Sequence, residues 1–177
     1  IPYIDVRLSF NSFIPETLDD KIANKLVNHY IKLLEQNPNL QDKIEFEIVH
    51  SCYTFDLKKK LKNLNSKIFS KNDKEIIYQK LKDLTNKIID PKEGLWKNDV
   101  KKFKILEARR NKIKNSKLDI FEKIYWLVED TKRFGTLPFA GLARASFIAV
   151  QMLRSLVDEK IFSLKDYDSL LKNVATV

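Results

Sequence analysis

The stretch that decides the fold is DIFEKIYWLVEDTKRFGTLPFAGLARASFIAVQMLRSLV, residues 119–157. Its apolar residues recur every three to four positions, which is the period of an α-helix. Asp119 is placed to cap a first helix. The predicted inner face of that helix consists of Ile120, Ile124, Leu127 and Val128. Gly135 is predicted as the C-cap beyond its end, and a second apolar helix is predicted to continue to about Val157.

Helical periodicity extends over most of the remaining chain, whose 177 residues include only 3 Gly and 5 Pro. So few turn-forming residues disfavour a β-sandwich or a barrel. A helix is predicted from Asp19 or Asp20 to about Gln36, and Ser70 with Asp73 has the spacing of a capping box before another helix. Further helices are predicted at about residues 57–64 and 98–114, and a short last one after Ser163.

Two short segments alternate apolar and polar residues, which is the pattern of half-buried strands. The first has Ile4, Val6, Leu8 and Phe10 on one side and Asp5, Arg7 and Ser9 on the other. The second is residues 44–48, where three apolar residues alternate with two glutamates. The predicted fold is therefore mainly α. It is a single helical domain over residues 1–177, with about six to seven helices and a small two-stranded β element near the N-terminal half.

The positive charge of the chain is concentrated in its middle. Overall, 33 Lys and Arg residues stand against 24 Asp and Glu, a formal net charge of +9. Residues 58–117 alone hold 20 basic and 7 acidic residues, and 18 of the basic ones are Lys. Nucleic-acid recognition favours Arg forks or aromatic residues interleaved with the basic ones. We therefore interpret the lysines as solvated helix surface, and a nucleic-acid-binding or helical interaction module with this Lys-rich face is the alternative function.

The composition also limits which binding sites and which cellular compartment are expected for this chain. A single cysteine, Cys52, permits no internal disulfide, which favours a reducing, cytoplasmic compartment. The two histidines, His29 and His50, are too few and too far apart for a zinc site, so no metal or cofactor is expected in this chain. No apolar stretch approaches the roughly 18 to 20 residues of a membrane span, so no membrane partner is expected. Because the chain opens inside an alternating apolar pattern without Met, we interpret it as a piece of a longer polypeptide.

Two segments place polar side chains in apolar surroundings and are the candidate binding sites. In PYIDVRLSFNSFIP, residues 2–15, one face of the predicted strand carries Asp5, Arg7, Ser9 and Asn11. This row offers a carboxylate, a guanidinium and two neutral hydrogen-bonding groups, which suit either a zwitterionic ligand or a local surface ion pair. In residues 135–157, Arg144 lies among small and apolar residues and needs an anion. Its partner is either an internal carboxylate or the carboxylate or phosphate of a ligand.

The segment His50-Ser51-Cys52-Tyr53 follows the second predicted strand, at an end where ligand-binding groups often collect. It permits two interpretations. One is a nucleophilic Cys52 with His50 as its base, and the other is a pair of side chains that share a face without catalytic geometry. The sequence favours the second interpretation, because residues two apart on a strand end do not by themselves reach each other.

Several long segments resemble one protein family. They are PYIDVRLSFNSFIP, IEFEIVHSCYTFDL, NKIIDPKEGLWKNDVKK, residues 119–157 as quoted above, and the closing KNVATV. Together they resemble the central region of phosphoenolpyruvate-synthase-like proteins that occur with bacterial capsule and surface-polysaccharide genes. The likeness runs from Ile1 to Val177 and is weakest at about residues 58–87. Among these proteins, the L-glutamine kinases of capsular phosphoramidate synthesis are the nearest functional analogue.

The resemblance implies an enzyme of three parts: an N-terminal ATP-grasp domain, a helical middle domain, and a C-terminal swivelling domain with a phosphorylated histidine. This chain would be the middle domain, inactive alone and without a catalytic residue, and ATP and magnesium would bind to the full-length enzyme. A middle domain that presents a glutamine-like acceptor needs an Arg for the carboxylate and an acid for the ammonium. We expect Arg7, Arg144 and Asp5 in these roles, with Ser9 and Asn11 holding the amide.

Overall fold

The structure is a computed structural model that describes residues 5–173. It is mainly helical, with 76% of the residues in helix, so the predicted predominance of helix is confirmed. The described residues contain eight α-helices. They are α1 (Val6–Asn11), α2 (Asp20–Gln36), α3 (Leu57–Lys62), α4 (Lys71–Ile89), α5 (Leu95–Lys114), α6 (Ile120–Thr131), α7 (Leu137–Asp158) and α8 (Leu164–Asn173). A 3-10 turn at Pro38–Lys43 and π-helical turns at Ile44–Ile48 and Lys132–Thr136 complete the helical elements.

The described chain separates into two compact units. The first unit contains residues up to 85 and from 147 onward, and the second contains residues 86–146. In the first unit, α2, α3 and α4 enclose a continuous apolar core with residues from α1 and the connecting segments. Its fully buried members include Phe10, Leu26, Tyr30, Leu57, Leu61, Phe69, Ile77 and Leu81.

Residues 5–173 contain no strand, so the predicted two-stranded β element is wrong. The first predicted strand is α1, apart from Ile4, which lies outside the described residues. The Asp5 carboxylate caps α1 by accepting a hydrogen bond from the Leu8 amide at 2.9 Å, and Ser9 Oγ donates to the Asp5 carbonyl at 2.9 Å. Such local bonds stabilise a helical start where no neighbouring strand competes for the backbone. Of the described apolar residues in that row, only Phe10 is buried.

The second predicted strand, residues 44–48, is a single π-helical turn. The Val49 amide donates to the Ile44 carbonyl at 3.0 Å and closes this turn. Ile48 is buried, four residues after Ile44. Positions four apart lie on one side of a strand and also on one side of a helix. The apolar pattern over five residues therefore does not distinguish the two structures.

Local capping signals in the sequence were more informative. Asp19 caps α2 by accepting a hydrogen bond from the Lys21 amide at 2.9 Å. Ahead of α4, Ser70 Oγ accepts from the Asp73 amide at 3.0 Å, and Asp73 accepts from the Ser70 amide at 3.2 Å. The same reciprocal arrangement surrounds Asp119 at the start of α6. These predicted helix starts are confirmed.

In the second unit, α5 is joined to α6 by an ion pair whose carboxylate is buried. Arg109 Nε donates to Asp130 Oδ1 at 2.7 Å, and the Asp130 side chain is buried. Gly135 lies inside the π-helical turn Lys132–Thr136 that leads from α6 to α7, so its predicted role as a C-cap is wrong. A C-cap glycine of that kind has a positive φ, and no described glycine has one.

The predicted inner face of α6 is also largely wrong. Ile120, Ile124 and Val128 are exposed, whereas Leu127 lines a cavity of about 350 Å³ in the second unit. The physical reason is that α6 meets α5 at Leu127 and at the buried Asp130, which pairs with Arg109, so the most apolar side of the helix does not face α5.

One helical run of the described residues, Ile120–Asp158, is long and apolar enough by length and composition to cross a membrane. Only 17% of its most apolar stretch is buried. The sequence analysis expected no apolar stretch long enough to span a membrane, and this run is long and apolar enough to do so. It carries Lys132 and Arg133 about a third of the way along, and its length and composition are weak evidence for a location.

Candidate functional site

The first unit contains a cavity of about 580 Å³, within the usual size range of small-molecule sites. Its wall is formed by residues 46–54, by the first turn of α3, by the C-terminal half of α7 and by α8. Charged, hydroxyl and apolar side chains all contribute to it. We refer to it as the first-unit cavity.

Part of the wall is the segment of residues 50–55, which has no regular secondary structure. Three buried hydroxyl groups accept hydrogen bonds from its backbone amides. Tyr30 of α2 accepts from the residue 50 amide at 3.1 Å, Thr85 of α4 from the residue 53 amide at 2.8 Å, and Ser155 of α7 from the residue 55 amide at 3.1 Å. A buried irregular segment needs such partners, because an unsatisfied buried amide is costly. Three helices therefore fix the path of this wall.

Arg154 and Asp158 carry opposite charges and line the cavity from neighbouring turns of α7. Residues four apart on a helix lie on the same face, with Cβ atoms about 5–6 Å from each other. An Arg and a carboxylate at this spacing form a matched pair for a ligand that carries both an anionic and a cationic group. Arginine is especially suited to the anionic side, because its planar fork binds a carboxylate with two parallel hydrogen bonds.

The guanidinium of Arg154 is positioned by an aromatic ring. Its carbon lies 5.0 Å from the centre of the Phe46 ring, and Nη1 lies 3.7 Å from Glu47 Oε1. Phe46 is itself held edge-on against Phe147 of α7, with 5.3 Å between ring centres. The Arg154 side chain is 45% exposed and its ion pair with Glu47 is long, so its guanidinium retains donors for a ligand.

A second charged pair lies at the start of α3. Asp56 accepts hydrogen bonds from Thr54 Oγ1 at 2.7 Å and from Lys60 Nζ at 2.9 Å. Burial raises the pKa of Asp56, but the hydrogen bonds from Thr54 and Lys60 outweigh it and hold that pKa below the ordinary value. The Asp56 carboxylate is thus charged, and its hydrogen bonds to Thr54 and Lys60 hold the start of α3. Lys60 adds positive charge to the cavity wall.

His50 contributes a neutral imidazole to the cavity. Burial lowers its pKa to about 4, and the nearby charge of Lys60 acts in the same direction. Its ring also packs edge-on against Tyr30, with 6.2 Å between ring centres. At neutral pH this histidine is therefore uncharged, so it offers one donor and one acceptor to a ligand.

We expect the free energy of unfolding to decrease as the pH falls from about 6.5 towards 4. In the unfolded chain His50 titrates near 6.5, whereas in the fold its pKa is about 4, so the unfolded state binds the proton first and gains stability in this window. One such group gives a slope of at most about 1.4 kcal/mol per pH unit. Urea unfolding at a series of pH values measures this slope.

The variant His50→Gln provides the control for this pH dependence and should flatten the slope between pH 5 and 6.5. Burial also lowers the pKa of His29, so His29→Gln should reduce the pH dependence of stability as well. The double variant should show the smallest slope. The carboxylates with lowered pKa values lose their contribution mainly below about pH 5, so they do not account for the slope between pH 5 and 6.5. An unchanged slope in His50→Gln would contradict the assignment.

Cys52 also lines the first-unit cavity, close in sequence to His50, but it is buried. A buried thiol in apolar surroundings is typically inert, because the thiolate is the reactive form. The structure therefore adds nothing in favour of the nucleophilic interpretation of Cys52.

The five residues expected to bind the acceptor lie elsewhere. Asp5, Ser9 and Asn11 are exposed on or next to α1, and Arg7 donates to Asn28 Oδ1 at 2.6 Å on the surface of the first unit. Arg144 is partly buried on α7, in the second unit. None of the five belongs to the wall of the first-unit cavity. Their roles in binding remain predictions, and α1 does not present the strand face on which four of them were placed.

The sequence did contain a signal for the cavity residues. Arg154 was visible as one of two charges in an apolar helix, and Asp158 follows it at the i,i+4 spacing. The helix was predicted to end at about Val157, so this pairing was missed. Lys60 gave no signal at all, because it lies in a run of similar lysines.

Among residues 5–173, no group of three His, Cys, Asp or Glu side chains is arranged to hold a metal ion. No family model, no curated protein and no solved structure matches the chain. The resemblance to phosphoenolpyruvate-synthase-like proteins therefore stays a prediction.

Proposed function

We propose that this chain is the acceptor-binding middle part of an ATP-dependent, phosphohistidine-type phosphotransferase, and that it presents a small zwitterion of the glutamine type. The likeness of the quoted segments to phosphoenolpyruvate-synthase-like proteins supports the reaction class. The observation that carries the binding role is the first-unit cavity, with Arg154 and Asp158 one helical turn apart on its wall.

In the proposed complex, Arg154 binds the carboxylate of the acceptor and Asp158 binds its ammonium group. The Phe46 ring beneath the guanidinium limits its motion, which reduces the entropy lost on binding. The hydroxyl groups of Ser51 and Tyr167 also line the cavity and can hydrogen-bond a side-chain amide. This assigns the zwitterion-binding roles to residues other than the five expected from the sequence.

The contribution of this chain to phosphoryl transfer is positioning. Transfer of a phosphoryl group depends mainly on alignment of the acceptor and on stabilisation of charge. ATP, magnesium and the phosphohistidine would be supplied by the flanking domains of the same polypeptide. The isolated chain should therefore bind the acceptor without phosphorylating it.

Calorimetric titration of the chain with L-glutamine tests this proposal. We expect Arg154→Ala to weaken binding by about 10- to 100-fold, because a charge-assisted hydrogen bond contributes about 1.5–3 kcal/mol. The variant should bind glutamine amide, which lacks the carboxylate, as well as the unaltered chain does. Asp158→Asn should show the complementary pattern with the analogue that lacks the ammonium group, 4-carbamoylbutyrate.

Arg133→Ala is the matched control, since Arg133 is an exposed arginine of the second unit and forms a long pair with Glu129 at 3.6 Å. It should leave binding unchanged. If neither glutamine nor another zwitterionic amino acid binds at about 20 mM, well above a millimolar dissociation constant, the binding role is wrong. Equal losses in Arg154→Ala for glutamine and glutamine amide would show that Arg154 does not bind the carboxylate.

A helical interaction module is the second candidate function. The specific observation in its favour is the number of large apolar side chains that the second unit exposes, above all on α6. Soluble proteins seldom leave extended apolar patches uncovered unless they bind a partner. The two functions are compatible, because the cavity and the exposed helix belong to different units.

A further inference from the structure

The outer face of α6 carries a continuous row of exposed apolar side chains. Phe121, Ile124, Tyr125 and Val128 are 79%, 52%, 59% and 53% exposed. Their spacing of i, i+3, i+4 and i+7 places them along one side of the helix. We call these four residues the α6 stripe. This spacing is the one by which amphipathic helices contact a partner helix.

The opposite side of α6 is already occupied by α5. Asp130 is buried there in its ion pair with Arg109, and Leu127 lines the cavity that α5 and α6 share. Thus the side of α6 that packs on α5 carries Leu127 beside the buried Asp130, whereas the more apolar side of the helix faces outward. The apolar side of an amphipathic helix is typically covered by a neighbour.

Basic residues stand at the two ends of the α6 stripe. Lys117 precedes the Asp119 cap, and Lys132 follows the last residue of α6. Both are exposed. Lys132 pairs with the partly buried Glu129, but its own side chain is exposed and can also meet an acidic group of a partner. The second unit as a whole is also basic, with 15 Lys and Arg against 8 Asp and Glu in residues 86–146.

These charges argue against a second copy of the chain as the occupant. In a two-fold antiparallel pairing of the stripe, Lys117 of one copy would lie near Lys132 of the other, and like charges across an interface are unfavourable. A lipid surface is also disfavoured. Interfacial membrane helices carry basic residues on their polar side, whereas Glu122, Glu129 and Asp130 outnumber the one lysine within α6.

We propose that the α6 stripe binds an amphipathic helix of another domain or protein, with apolar anchors at the same spacing and an acidic residue at each end of its own stripe. The 12 residues of α6, Ile120–Thr131, correspond to about 18 Å of helix, and the two lysines lie beyond its ends. The two acidic residues of the partner are therefore more than about three turns apart. This proposal does not depend on the phosphotransferase function.

Two synthetic helical peptides of equal length test the proposal. Both carry the same leucine stripe, with Glu at both ends in one and Lys at both ends in the other. By fluorescence anisotropy, the Glu-ended peptide should bind the chain about tenfold more tightly at low salt, and the difference should shrink as salt screens the charges. Ile124→Glu should abolish binding of the Glu-ended peptide. Ile161→Glu changes a residue that is 63% exposed outside the second unit, and it should have no effect.

Circular dichroism of both variants checks that they remain helical. Four results would overturn the proposal: equal binding of the two peptides, no binding of either, Ile124-dependent dimerisation of the chain in sedimentation experiments, or Ile124-dependent binding to phosphatidylcholine–phosphatidylserine vesicles. The last two would assign the stripe to a second copy or to a lipid surface.

Discussion

Replacing Tyr30 by Ala is expected to lower the free energy of unfolding by about 4 kcal/mol, within the range for large buried aromatic residues. The Tyr30 side chain is fully buried. Its ring packs at 5.9 Å from Phe10 and 6.2 Å from His50, measured between ring centres. The substitution removes these contacts and also the hydroxyl that accepts the residue 50 amide. Urea or thermal unfolding followed by circular dichroism measures the loss.

Tyr30→Phe separates the two contributions, because it keeps the ring and removes only the hydroxyl. We expect a loss of about 1–3 kcal/mol, the cost of leaving one buried amide without its partner. Tyr53→Ala is the comparison at a partly exposed tyrosine and should cost less than Tyr30→Ala. A loss below about 1 kcal/mol in Tyr30→Ala would contradict the central place of this side chain in the core.

Gly94→Ala is expected to destabilise the second unit by about 2–3 kcal/mol, because overpacking against atoms that cannot move is costly. A Cβ at residue 94 would lie 2.7 Å from the Ile88 carbonyl oxygen, 2.8 Å from Trp96 Cδ1, and nearer still to the Asp90 carbonyl oxygen. Two of these three atoms are backbone carbonyl oxygens, that of Ile88 in the last turn of α4 and that of Asp90 just after it. Differential scanning calorimetry measures the effect on the unfolding transition.

Gly135→Ala is the matched control for Gly94→Ala. A Cβ there would approach Leu106 Cδ2 at 3.3 Å, a side-chain atom that can shift. Because residue 135 lies within a helical turn, Ala also gains up to about 1 kcal/mol in helix propensity. We expect Gly135→Ala to change stability by less than about 1 kcal/mol, and equal losses in both variants would contradict the steric argument for Gly94.

The features that the sequence predicted correctly are those that residues determine locally. Asp19, Ser70 with Asp73, and Asp119 each satisfy backbone amides within three residues, so their patterns indicate helix starts directly. The strand predicted at residues 44–48 was wrong because residues four apart lie on the same side in a helical turn and in a strand. The predicted inner face of α6 was wrong because the helix packs on α5 at the buried, ion-paired Asp130 and leaves its apolar side exposed.

The candidate site could not be derived from the sequence for a different reason. Its wall combines residues 46–54 with α7, and Gln151 of α7 donates to the Glu45 carbonyl at 2.9 Å, more than a hundred residues away. No local pattern indicates such a contact. The sequence predicted an Arg in an apolar helix that binds an anion, and this role stays a prediction. The structure places Arg154 rather than Arg144 in the wall of the first-unit cavity.

The hydroxyl groups of Tyr30, Thr85 and Ser155 bind backbone atoms of residues 50–55 and not their side chains. The course of this segment is therefore fixed by side chains of three distant helices. The side chains that line the cavity there belong to the segment itself. We therefore expect substitutions of side chains within residues 50–55 to alter the surface of the cavity wall while the course of the segment is kept, because its anchoring bonds involve backbone amides alone.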